Sequence, residues 1–111
     1  MDGQNDSDMH SKRLVCLAHG KEAGPWGPAI TRLAKIAVEK EFEVMSPDHR
    51  DLADPDARVR RLLDLKLSAE RLVLAGFGMG GYVATVASGH LKPAGLFLLA
   101  PAFYLGGYAD Q

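Results

Sequence analysis

The sequence has a single cysteine, Cys16, so no internal disulfide framework can form, and a reducing, cytoplasmic setting is expected. It also lacks a charge excess, with 13 Lys and Arg against 14 Asp and Glu for a net charge of −1. No basic stripe is available to neutralise phosphates, which excludes a dedicated nucleic-acid binder. The start has neither a basic cluster nor an apolar run; Asp2, Asp6 and Asp8 stand among Gly, Gln, Asn and Ser. No secretory leader is therefore expected. The longest stretch considered for a membrane span is residues 72–91, which carry no Lys, Arg, Asp or Glu. Gly76, Gly78, Gly80, Gly81 and Gly89 break that stretch into a strand, a turn and a helix, so no membrane association is expected. Aromatic residues are few at 7%, against 47% hydrophobic and 24% charged residues overall. A chain of 111 residues accommodates one domain. At that size it buries roughly 65% of its unfolded surface, a core without much surplus.

Short apolar runs alternate with helical periodicity. Leu14 to Ala18 is a continuous apolar run, the pattern of a strand buried on both faces. His19, Gly20 and the residues to Gly27 form a Gly- and Pro-containing loop. Ile30, Leu33, Ala34, Ala37 and Val38 then follow amphipathic-helix spacing, with Pro28 suited to the first turn. Phe42 to Met45 reads as a second strand. Asp54 followed by Pro55 is a helix start, with Asp54 as cap. Arg58, Arg60 and Arg61 are placed on the wet side of that helix. Arg71 to Ala75 is a third strand, Tyr82, Val83, Val86 and Ala87 mark a helix ending near Gly89 and Pro93, and Gly95 to Ala100 is a fourth strand. Strands alternating with helices imply βαβ units and a parallel sheet. The expected fold is α/β, a three-layer sandwich on a short parallel sheet of about four strands. Residues 1–12 are expected as a disordered polar tail and 13–111 as the domain.

The turn Gly76-Phe77-Gly78-Met79-Gly80-Gly81 admits three readings. Gly76, Gly78 and Gly81 satisfy G-x-G-x-x-G, which cradles pyrophosphate at a helix amino terminus. That motif wants an acidic residue about twenty positions on, and residues 96–105 contain none. The same turn fits G-x-S-x-G, the nucleophile elbow, with Gly78 in place of serine. Gly76 and Gly80 then supply the small residues that so sharp a turn needs, and Gly78 tolerates the strained central conformation. The third reading is a tight strand-to-helix turn without chemistry.

Leu17-Ala18-His19-Gly20 at the end of the first strand, Met79-Gly80-Gly81-Tyr82-Val83-Ala84 after the turn, and Leu98-Leu99-Ala100-Pro101-Ala102 on the fourth strand resemble a small bacterial α/β-hydrolase of esterase or acyl-hydrolase type. The resemblance covers about residues 13–108 and implies the amino-terminal half of that domain, a truncated α/β-hydrolase fold. It implies an oxyanion hole built from two backbone N–H groups, that of Lys21 after the His19-Gly20 loop and that of Met79 after the elbow. It implies Trp26 and Phe77 beside the ligand, with simple packing an equal alternative for both, and His19 and Gly20 shaping the loop; no cofactor and no metal are expected. A small ester or acyl compound is the partner it suggests. Gly78 departs from the family's serine, and downstream of it His90 is the only histidine and Asp110 the only acid. The family order of nucleophile, acid and then histidine is not met. His90 lies about twelve residues along the departing helix, roughly 18 Å away at 1.5 Å per residue. The expectation is a hydrolase-like scaffold without triad catalysis. The alternatives are a nucleotide- or phosphate-binding module using the glycine turn, and an interaction protein pairing through an exposed fourth strand.

Among the other candidates, Cys16 is expected in the core, and His49, with Asp48, Arg50 and Asp51 beside it, in a solvated turn rather than a metal site. Lys21 and Glu22 are expected as exposed loop charges.

Overall fold

The computed structural model describes residues 10–21 and 24–99. Four parallel strands make one sheet in the order β2-β1-β3-β4, with β1 His10–Ala18, β2 Glu43–Met45, β3 Ser68–Phe77 and β4 Gly95–Leu99. Helices α1 (Pro28–Glu39), α2 (Pro55–Asp64) and α3 (Met79–Leu91) connect them. The α/β class, the parallel pairing and the four-strand sheet agree with the sequence pattern.

Side chains alternate across the sheet, which sorts each strand into two faces. Leu14, Cys16, Ala18, Leu72 and Leu74 point to one side and pack with Val59 and Leu62 of α2 and Val83, Ala84 and Ala87 of α3. Val15, Leu17 and Ala75 point to the other and pack with Ile30 and Ala37 of α1. This is the expected three-layer arrangement. Right-handed crossovers explain it: the chain moves from β1 outward to β2 on one face, then back past β1 to β3 and on to β4 on the other.

Several boundaries differ from the sequence reading. Strand β1 begins at His10, and His10 and Ser11 stand opposite Ser68 and Ala69 of β3. Residues 10–12, expected in the tail, therefore belong to the sheet, because an early β3 offers them a partner. Strand β2 starts at Glu43, while Phe42 packs under α1. Helix α3, by contrast, ends at Leu91, between Gly89 and Pro93 as expected, and Lys92 closes it in the left-handed region at φ 48°. An added Cβ at Gly89 would meet nothing, so that glycine is an exposed helical residue rather than a stop. Residue 100 and the segment beyond it lie outside the described residues. Helix α2 starts as expected: Asp54 accepts a hydrogen bond from Ala57 N at 3.1 Å and Pro55 opens the helix.

Two side chains are corrected outright. Arg58, expected on the wet face of α2, is 1% exposed, and His49, expected in a solvated turn, is also 1% exposed. Pro55, Arg58, Val59 and Leu62 form one buried stripe of α2 at helical spacing, and Arg58 falls on it. Arg60 is exposed, and Arg61 is half-buried with a two-point ion pair to Asp51 at 2.7 and 2.9 Å. Cys16 is buried, as expected, and burial pushes its thiol up to about 12.

Candidate functional site

The sheet order sets where chemistry belongs. The connection from β1 leads to β2 on one side, and that from β3 leads to β4 on the other. The carboxyl ends of β1 and β3 therefore flank the switch point of the sheet, where open α/β sheets bind ligands. Ala18 stands opposite Gly76 in register, so the loop at His19–Lys21 and the turn at Phe77–Met79 leave the sheet side by side.

The turn has the geometry of an elbow. Gly78 sits at φ 58°, ψ −124°, immediately before α3, where a side chain is strained by about 1–3 kcal/mol. Its N–H donates to Leu99 O at 3.1 Å and its carbonyl accepts from Gly81 N at 2.8 Å. A Cβ at Gly76 would collide with Gly80 O, and one at Gly80 with Ala18 O and His19 O. Gly76 and Gly80 are thus excluded from carrying side chains by main-chain crowding. At Gly78 the case is reversed: among the described residues a Cβ would meet only Gly20 Cα, at 3.7 Å. Among the described residues the central position is open, and its restriction there is conformational.

The facing loop is held from beneath by a buried polar cluster. His19 is 1% exposed. Its Nε2 accepts from His49 N at 2.8 Å, which requires the hydrogen on Nδ1, 2.7 Å from Gly20 O. Arg58 Nη1 donates to His19 O at 3.2 Å and to Gly20 O at 3.3 Å, while its Nε donates to Leu52 O at 2.7 Å. The His49 ring lies 5.9 Å from that of His19, and neither His49 ring nitrogen has a hydrogen-bond partner among the described residues. Desolvation first, then the neighbouring His19, Arg58 and Arg61, push His49 down to about 4, opposed by Asp51.

The expected site residues are partly brought together. Gly20, Phe77 and Gly78 meet: a Cβ at Gly20 would come within 3.1 Å of Phe77 O and 3.9 Å of Gly78 Cα. Lys21 is exposed beside them and Met79 is buried as the first residue of α3. The first N–H groups of a helix have no partner within it, and the helix dipole makes them an electropositive end. The His19 side chain is enclosed, with both ring nitrogens engaged by main chain, so it holds the loop rather than facing a ligand. Phe77 packs against the α1-side core. Trp26 is 55% exposed and lines a separate shallow hollow with Gly24, Pro25, Gly27 and Arg50. Glu22 lies outside the described residues. No group of three or more metal-ligating side chains is found among the described residues, and no helix there is long and apolar enough to cross a membrane.

The fold has a counterpart among solved structures. A protein from Xanthomonas campestris pv. campestris, described as a hydrolase of the alpha/beta superfamily and with no substrate stated, matches with a TM-score of 0.77 and 33% sequence identity. The match covers 86% of this chain and 61% of that one. The chain is α/β-hydrolase-like. Its span is under two thirds of the neighbour's length. No protein-family model and no curated protein matches the sequence.

Arg58 and His49 are the residues that sequence reasoning missed. Arg58 was legible in principle from its place on the stripe of Pro55, Val59 and Leu62. The burial of His49 depends on contacts between loops distant in sequence, for which no local pattern exists.

Proposed function

We propose that this domain binds the carboxylate or acyl oxygen of a small ester or acyl compound between the His19–Lys21 loop and the Gly78 elbow, without serine-type hydrolysis. The Lys21 and Met79 N–H groups are the oxygen-binding donors in this reading. The observation that carries it is Gly78 itself, which holds an elbow conformation with open space at its Cβ among the described residues and no nucleophilic oxygen. The hydrolase-like neighbour favours the elbow over a phosphate cradle. His90 stands on α3 about three turns beyond the elbow, and the ring nitrogens of His19 are occupied. A serine placed at 78 therefore finds no base in either of them.

Titrating the 15N-labelled chain with sodium butyrate is expected to move the Lys21 and Met79 amide resonances more than any others. The chain and its Gly78→Ser variant should both leave p-nitrophenyl butyrate at the buffer rate. Turnover that copurifies with the chain, or family-like turnover from Gly78→Ser, overturns the non-hydrolytic reading. Butyrate shifts confined to other amides overturn the binding site.

A second reading, self-association through β4, is favoured by a separate observation. Among the described residues β4 is an edge strand, with Phe97 58%, Leu99 46%, and Leu96 and Leu98 each 36% exposed.

A further inference from the structure

Arg58 occupies a position that surface chemistry does not explain. A guanidinium cannot shed its charge in a protein, so burying one requires good hydrogen-bond acceptors around it. The acceptors given to Arg58 include three main-chain carbonyls, and two of these, His19 O and Gly20 O, are consecutive in the loop facing the elbow. The Gly20 carbonyl is also within 2.7 Å of His19 Nδ1, so two donors draw it toward the buried side. A trans peptide is planar, with its N–H opposed to its C=O. Drawing Gly20 O inward therefore turns Lys21 N–H outward, at a loop whose Gly20 Cα is 3.7 Å from the open Cβ position of Gly78.

We infer that Arg58 is a positioning residue: it fixes the Gly20–Lys21 peptide so that the Lys21 N–H faces the elbow. This rests on the reading that the same N–H receives a ligand oxygen, but its direct consequence is visible without ligand. Arg58 acts across the fold, from the second turn of α2, and touches no ligand itself. His19 cooperates from the other side, since its Nδ1 hydrogen reaches the same carbonyl and its Nε2 ties the loop to His49 N.

The test uses the 15N-labelled full chain as wild type, Arg58→Met and Arg58→Lys. In the ligand-free proteins, the Lys21 N–H residual dipolar coupling is expected to change in Arg58→Met, with the couplings of β1 and β3 preserved. Arg58→Lys, which keeps a buried cation with a single donor centre, should lie between the two and serves alone if Arg58→Met does not fold. With butyrate added, the Lys21 response should become about tenfold weaker in Arg58→Met, as expected on losing a charged donor. The Met79 response should persist. An unchanged Lys21 coupling overturns the inference. With the β1 and β3 couplings preserved, a parallel fall of the Lys21 and Met79 responses also overturns it, because the effect then lies on the whole site rather than on one peptide. Wild-type amides that ignore butyrate overturn the ligand reading alone, since the dipolar coupling still decides the role of Arg58.

Discussion

At the scale of single residues, His49 carries the clearest thermodynamic signature. Its ring is enclosed, faces the His19 ring, and has Arg58 and Arg61 on its positive side against Asp51 on its negative side. The unfolded chain takes up the imidazole proton near 6.5, while the folded chain resists it until about 4. Between those values the unfolded state binds more protons, so stability falls as pH falls, and the loss levels off below about 4. The ceiling is about 3 kcal/mol at 1.36 kcal/mol for each pH unit. Urea unfolding at pH 7.5 and pH 5 should show this loss in the wild type. His49→Leu removes the titrating ring but keeps the main-chain N–H that His19 uses, so the variant should lose much of the dependence. Equal pH dependence in both proteins would rule out His49 as its source.

At the scale of elements, the elbow separates two kinds of glycine. Gly78→Ala introduces a side chain into open space at a left-handed φ, for about 1–3 kcal/mol of strain. Gly80→Ala drives a Cβ against the Ala18 and His19 carbonyls and forces α3 away from β1, at a cost of about 3 kcal/mol or more. Thermal unfolding should therefore rank Gly80→Ala well below Gly78→Ala, and the reverse order would refute the elbow geometry. This distinction explains what was legible in the sequence. The fold was readable because apolar runs, the Asp54-Pro55 helix start and the glycine turn are local signals, each sufficient to place an element. The tight strand-to-helix turn was readable because main-chain crowding dictates small residues at Gly76 and Gly80. The underside of the facing loop was not, because it depends on where α2 lands. A charged Arg58 on the buried stripe resembles a surface residue until the carbonyls of His19 and Gly20 are seen beneath it. Helix α3 ends between Gly89 and Pro93 as the sequence suggested, and the residue that makes the turn is Lys92.

At the scale of the molecule, the uneven covering of the sheet matters most. Parallel sheets are ordinarily covered on both faces. Among the described residues α2 and α3 cover one, whereas on the other α1 sits over β1 and β2, leaving a groove of about 640 Å³ beside it. Leu33, Ile36, Phe42, Val73 and Phe97 line that groove, and β4 forms the sheet edge beside it among the described residues. Phe97 stands opposite Ala75 and so faces the groove, with 58% of its surface exposed. An apolar edge strand is a template for another strand. Light scattering coupled to size exclusion should therefore show the mean mass rising with concentration across the micromolar range. Phe97→Lys places a charge in the groove and should return the chain to a monomer. Its unfolding temperature should stay close to the wild type, because little of that ring is buried in the single chain. A wild type that stays monomeric, with β4 amides strongly protected from hydrogen exchange, would show that the edge is already covered within one molecule.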